Sequence, residues 1–258
     1  MSNMFHTVFQ VPVEGPSVVE VLDLVSRATQ PQWIVTLNPE MLVAAYHQAS
    51  YKATLQQADL HTVDGFGLWA VLRFSGRKGI HRLTGVDLSE RLLAFAEVQG
   101  WKVGCFGGRP GTGNLLKNYF HTQYPRLSFL VEEGGNIDEA GNQDEVSEEA
   151  LHRLTLFSPE MMLVALGGGG TRQEEWIKKH MSHFPGLRAI LGVGGTFNYW
   201  TGAIQRAPRI MRILGLEWFW RLCLEPARFK RIWTAVIVFP FLVIKDFVEM
   251  KHPRKAKM

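Results

Sequence analysis

Apolar positions over the first two hundred residues switch repeatedly between two spacings. "TVFQVPV" (7–13) alternates as a strand does, whereas "SVVEVLDLVSRAT" (17–29) repeats apolar residues at helical spacing. Ser17 with Glu20 three residues on predicts a capping box at the start of that helix. "QWIVTLN" (32–38) is a buried-type strand, and Pro39 opens a helix at its first turn. A short strand ends in "ADLHTVDG" (58–65), and "GVDLSERLLAFAEVQG" (85–100) is a helix closed by Gly100. "WKVGCFGG" (101–108) is a strand running into a glycine-rich turn, and "RLSFLVE" (126–132) is another strand. Acidic, glycine-rich residues 133–148 read as a surface loop leading into a helix over 147–157. "MMLVALGGGG" (161–170) is a strand and glycine turn before a helix over 171–184, and "LRAILGVGG" (187–195) is the last strand. From about residue 206 the rhythm stops. Helices are expected after Pro208, around 215–224, and from Pro226 onward.

Alternating strands and helices predict an α/β fold: a Rossmann-like, mainly parallel sheet with helices on both faces. The expected division is an α/β catalytic domain over 1–205 and a basic, apolar helical appendage over 206–258. Ligands of such sheets bind beyond the carboxyl ends of the strands. Those ends are Asn38, Asp64, Gly107–Gly108, Gly167–Gly170 and Gly194–Gly195.

Charge sharpens this division. The chain of 258 residues carries a net +4, but residues 206–258 hold twelve Lys/Arg against four Asp/Glu, which leaves the rest at −4. The basic charge is therefore local and points to an anionic surface or ligand near the C-terminus. The two cysteines, Cys105 and Cys223, have no metal-like spacing and read as buried thiols of a reducing compartment. The N-terminal segment lacks a basic stretch followed by an apolar one, so no signal peptide is expected. The longest apolar run, Ile232 to Ile244, is thirteen residues. As a helix it spans about 20 Å, against about 30 Å of hydrocarbon.

Several strand ends carry candidate chemistry, each with a plainer alternative. Thr36 and Asn38 share side parity and can bond a sugar or nucleotide, or Asn38 can simply cap the helix begun by Pro39. Asp64 in "VDGFG" suits a general base, or an N-cap or Asx-turn residue. Arg82 can hold a phosphate, position Asp64, or sit in an ordinary ion pair. "VGCFGGRPGTG" (103–113) and "VALGGGGTRQEEW" (164–176) are strand–glycine–helix junctions that can face phosphate or serve close packing. Neither is a P-loop or a dinucleotide fingerprint.

Together "TLNPEML", "ADLHTVDGFGL", "RLTGVDL", "CFGGRPG", "RQEEWI", "GVGGTFNYWTGAIQRAP" and "GLEWFWRLCLEPARFKR" resemble, in order, the WecG/TagA/CpsF family, glycosyltransferase family 26. The resemblance runs from about Phe5 to Ile244. It implies a GT-E-type fold and an inverting, metal-independent transfer without cofactor. The implied donor is a UDP-sugar carrying N-acetylmannosamine, its uronic acid or a hexose. The implied acceptor is a polyprenyl-diphosphate-linked sugar of bacterial surface polysaccharide or teichoic acid synthesis. The implied place is the cytoplasmic face of the plasma membrane, as a peripheral protein. No nucleic acid partner is implied, and self-association is left open.

Position by position, Asp64 resembles the family's catalytic base, and Thr36, Asn38, Arg82, Gln173 and Asn198 its substrate pocket. Gly107, Gly108, Gly194 and Gly195 are expected to approach the nucleotide phosphates. Arg206, Arg221, Arg228 and Arg231 match basic positions suited to a lipid diphosphate at the membrane. The chain departs from the pattern at Asn198, where the family usually has Asp, and at "GGGGTRQE", where a Pro is usual. Either a nucleotide-cofactor oxidoreductase or a non-catalytic membrane-binding protein is the rival expectation. The stretch "GLEWFWRLCLEPARFKRIWTAVIVFPFLVIK" (215–245) is expected to dock on the membrane and to cover the active site.

Overall fold

A computed structural model describes residues 7–167 and 171–251. Gly168–Gly170 of the predicted glycine turn, the first six residues, and most of the cationic "KHPRKAK" flank lie outside the described residues. In chain order the elements are β1 (Thr7–Val8), β2 (Val11–Pro12), α1 (Val18–Arg27), β3 (Gln32–Leu37), α2 (Pro39–His47), α3 (Ala49–Leu55), β4 (Leu60–Val63), α4 (Phe66–Phe74), α5 (Gly85–Gln99), β5 (Lys102–Gly107), α6 (Gly113–Gln123), β6 (Ser128–Glu132), α7 (Glu145–Phe157), β7 (Met161–Ala165), α8 (Arg172–His180), β8 (Ala189–Gly192), α9 (Thr196–Trp200), α10 (Arg209–Ile213), α11 (Glu217–Leu224), α12 (Phe229–Trp233) and α13 (Phe239–Lys251). A π-helical turn, Thr234–Val238, joins the last two helices.

Six strands form one parallel sheet in the order β4-β3-β8-β7-β5-β6. Its first and last strands in chain order, β3 and β8, lie side by side within the sheet. Alternation along each strand divides the core in two. Met161, Leu163 and Ala165 of β7 pack with α1, α5, α6 and α9, while Met162 and Val164 face α2, α3, α7 and α8. With both faces covered, the strands read as continuous apolar runs, as parallel strands do.

Local signals act where expected. Ser17 and Glu20 form both halves of the capping box of α1. Asn38 accepts from the Met41 amide (3.0 Å) at the head of α2, and Gly100 closes α5 in the left-handed region. The segment 7–13 differs from the single strand expected. Phe9 and Gln10 both take positive φ (51° and 68°), so β1 turns back antiparallel on β2 as a separate hairpin. Burial offsets that conformation, because the Phe9 ring meets Tyr46 (4.9 Å) and Phe239 (6.2 Å) edge-on. Cys105 is buried on β5, but Cys223 is exposed on α11, contrary to the expectation of two buried thiols; both are free.

After Pro208 the chain is helical to the end of the described residues, and no helix there or elsewhere among them is long and apolar enough to cross a membrane. α10, α11 and α12 bury no residue fully. The appendage is instead anchored by Phe239 and Leu242, which enter the core beside α2 and β1. Phe241 and Ile244 on the same helix point outward, each about two-thirds exposed (65% and 64%). Phe239→Ala is expected to lower the unfolding free energy by about 3 kcal/mol. Phe241→Ala is expected to change it by less than about 0.5 kcal/mol. Urea denaturation of the two variants checks the contrast.

Candidate active site

A cavity of about 410 Å³ opens where β3, β4 and β8 end, and α11, the turn Pro226–Arg228, α12 and the π-helical turn close its other side. Thr36 reaches it from the last turn of the β3 pleat, on the same face as Ile34. Its hydroxyl donates to the Gly192 carbonyl of β8 (3.3 Å), which ties the two strand ends together. Asp64 follows β4 directly. Its amide donates to the Leu37 carbonyl (2.7 Å), so the sheet register itself carries the carboxylate to the cavity wall.

The Asp64 carboxylate accepts one hydrogen bond, from the Gly85 amide at the start of α5 (3.2 Å), and among the described residues no ion pair holds it. Gly85 seats the helix N-terminus against both side chains. A Cβ there would stand 3.4 Å from Thr36 Oγ1 and 3.7 Å from Asp64 Oδ2. Burial dominates the proton affinity and pushes the carboxyl up to about 7. The Gly85 N–H opposes that shift, nearby Glu217 and Asp87 add to it, and Arg82 opposes it. Arg82 stands beside Asp64 because residues 82–83 extend the edge of β4 (Leu83 N–H to Val63 O, 2.8 Å). Its Nη2 donates to the Arg212 carbonyl (2.6 Å), so this guanidinium links the sheet to the appendage.

Beneath β8 lies a buried polar chain. Gln173 accepts from the Gly194 amide (2.9 Å) and donates to Glu174 (2.8 Å), which also accepts from the Tyr51 hydroxyl (3.1 Å). Gly192 makes room for it, since a Cβ there would lie 2.2 Å from Gln173 Nε2. Burial pushes the Glu174 carboxyl up to about 7 against the pull of Gln173, its own amide and Tyr51. The chain pins the Gly194–Gly195 turn at the cavity floor.

The opposite wall is cationic. Arg221, Arg228 and Arg231 all line the cavity. Arg231 pairs with Glu40 of α2 (2.6 Å), and Arg221 lies over the Tyr199 ring (5.2 Å). The cavity thus gathers Thr36, Asn38, Asp64, Arg82, Gln173, Gly194, Gly195 and these three arginines, with Gly167.

Four expected residues stand apart from it. Gly107 and Gly108 serve close packing: a Cβ on Gly107 would lie 2.4 Å from the Ala165 carbonyl, and Gly108 donates to that same oxygen (2.8 Å). The free amides of that turn, Gly111 and Gly113, already meet a resident anion, Glu133 (2.7 and 2.5 Å). Asn198 sits in α9 behind Gly195, its main chain engaged with Gly195 and Ile204. Arg206 is bound to Asp87 (2.5 Å) and near Glu90 (3.6 Å) on α5. Burial works against the Asp87 charge, yet the Thr84 hydroxyl and Arg206 hold its carboxyl below the usual range. Sequence reasoning passed over Glu40, Glu174, Tyr199 and Glu217, which also line the cavity. Each adjoins or lies within a stretch that stood out, but only the folded arrangement turns it inward.

Comparison with known proteins gives a consistent match. The model of the glycosyl transferase WecG/TagA/CpsF family matches residues 6–253. The N-acetylglucosaminyldiphosphoundecaprenol N-acetyl-beta-D-mannosaminyltransferase of Staphylococcus aureus strain MRSA252 is 30% identical over 232 residues, covering 90% of this chain and 86% of that protein. Its counterpart in strain NCTC 8325 / PS 47 is 29% identical over the same share.

Because folding raises the Asp64 pKa from 3.8 to about 7, the folded state binds the extra proton and loses stability as pH rises through that window. Asp64→Asn is therefore expected to be more stable than the parent at pH 8, by on the order of 2 kcal/mol. That advantage should vanish towards pH 4. Denaturation at the two pH values measures it.

Proposed function

We propose the following reaction for this chain, which belongs to the glycosyl transferase WecG/TagA/CpsF family: transfer of N-acetylmannosamine from a UDP-sugar to an N-acetylglucosaminyl-diphosphate lipid, with inversion at the anomeric carbon. The observation that carries it is one cavity holding an unpaired carboxylate of near-neutral pKa on one wall and a set of arginines on the other. The acceptor and donor sugar follow the relatives' name; the uridine diphosphate and the metal-independent course are what the family resemblance implies, and a cationic wall suits a diphosphate leaving group.

In this reading the acceptor hydroxyl attacks from the face opposite the leaving diphosphate. Asp64 takes the hydroxyl proton as the new glycosidic bond forms, a task suited to a base whose pKa lies near the working pH. The diphosphate gains charge as it leaves, and Arg221, Arg228 and Arg231 with the Gly194–Gly195 turn supply donors for it. Thr36, Asn38, Arg82 and Gln173 orient the sugars. The unit boundary near residue 205 has a functional sense here, since the appendage supplies the cationic wall.

The appendage also carries the surface for a lipid-bound acceptor. Ile210, Ile213, Phe229, Trp233, Phe241 and Ile244 are exposed, beside a strongly basic stretch. Such a mixture of aromatic, apolar and cationic side chains settles in a bilayer interface.

Incubation of the purified chain with a lipid-diphosphate N-acetylglucosamine and a panel of UDP-sugars, read by mass spectrometry, is expected to yield one added N-acetylmannosamine. Asp64→Asn should lower the rate about 10²–10⁴-fold. The parent's kcat/KM should rise with pH to a plateau above about 7, the value set for Asp64. Transfer undiminished in Asp64→Asn would remove it as the base. Phe229→Ala combined with Phe241→Ala is expected to weaken sedimentation with phosphatidylglycerol vesicles about tenfold or more while leaving binding of soluble UDP unchanged.

A further inference from the structure

Two of the cavity's arginines share a single carboxylate. α11 ends at Leu224, Glu225 leaves the helical conformation (φ −132°, ψ 75°), and Pro226 starts a new turn. That break brings residues four before and three after Glu225 onto one side chain. Its Oε2 lies 2.8 Å from Arg221 Nη2 and 2.9 Å from Arg228 Nε. Its Oε1 faces Arg109 Nη2 at 3.8 Å, on the turn after β5. Both appendage arginines line the cavity, whereas Glu225 does not.

We propose that Glu225 is a positioning residue that presents Arg221 and Arg228 side by side to a substrate diphosphate. The proposal rests on the diphosphate reading above and deepens it. Two adjacent guanidinium groups repel, and without a carboxylate between them they would swing apart into water. Their crowding is visible in Arg228: burial, then the charges of Arg221 and Arg231, depress its proton affinity, with Glu225 opposing. Burial likewise disfavours the Glu225 charge, but Arg221 and Arg228 hold its carboxyl below the usual range.

The carboxylate engages one edge of each arginine. Arg221 Nη1 is left directed at the Gly195 turn, 3.7 Å from where a Cβ on Gly195 would stand, with Tyr199 beneath the guanidinium plane. A cradle assembled before the ligand arrives spares the ordering cost that two free arginines would incur on binding. Arg109 ties the same carboxylate to the α/β domain, so the cradle is set in register with the strand ends.

The test turns on a sign. A carboxylate beside an anion site repels the anion, and if that were its only effect, removing its charge would tighten binding. Positioning predicts the opposite. Titration of the full chain with inorganic pyrophosphate at fixed salt is expected to show about tenfold weaker binding in Glu225→Gln and, because the shorter carboxylate reaches both arginines less well, about threefold weaker binding in Glu225→Asp. Melting temperatures should stay within a few degrees. In the transfer assay the loss in Glu225→Gln should fall on KM, with kcat within about twofold. Unchanged or tighter pyrophosphate binding in Glu225→Gln overturns the proposal. If Glu225→Gln does not fold, Glu225→Asp decides: measurably weaker binding supports positioning, and equal or tighter binding overturns it. A parent chain that binds no pyrophosphate overturns the diphosphate reading, and the proposal with it.

Discussion

A half-buried carboxylate that, among the described residues, has no ion-pair partner is the constraint around which the site is arranged. Asp64 sits at the end of a strand whose register is locked to β3, and its one hydrogen bond comes from a helix N-terminus. The cations nearby are all occupied elsewhere. Arg82 turns to the Arg212 carbonyl, Arg206 to Asp87, and Arg231 to Glu40. A guanidinium on Asp64 itself would draw its pKa down by a unit or more and weaken it as a base. The diverted arginines therefore preserve basicity at the same time as they build a cationic wall.

Those diversions also hold the molecule together. The appendage buries little apolar surface beyond Phe239 and Leu242. Its polar links to the α/β domain include those of Arg82, Arg206, Arg212, Arg221, Arg231 and Glu225, groups that border the cavity or stand just behind it. Several of the interactions that anchor the appendage therefore also form the cavity wall. The exposed apolar side chains from Ile210 to Val248 lie on this same unit.

Glycine signals in the sequence proved to have different physical uses. The turn after β8 reaches the cavity because Gly192 admits Gln173, which then pins Gly194. The turn after β5 looks equally suited to phosphate, yet its amides are taken by Glu133 and its first glycine packs on a carbonyl of β7. Residue type alone does not distinguish these cases, since both need small residues with free backbone N–H groups. The resident carboxylate comes from twenty residues further along the chain.

The sequence by itself determined the layered α/β fold, the order of the strands of its main sheet along the chain and the division of charge between its two parts. Those features follow from periodicity and local caps such as Ser17, Asn38 and Gly100, which act within a few residues. It also marked Asp64, Thr36 and Gln173 as strand-end and turn residues. Tertiary structure alone decided which strand ends meet. Placing β8 against β3 brings Gly192 to Thr36, and packing Phe239 into the core accompanies the placing of Arg221, Arg228 and Arg231 on the cavity wall opposite Asp64. It turned Glu40, Tyr199 and Glu217 inward and left Asn198, Arg206, Gly107 and Gly108 outside. The reason is range: a cap or a strand repeat is written in neighbouring residues, whereas a site is an intersection of segments more than a hundred residues apart, settled by packing that no local pattern encodes.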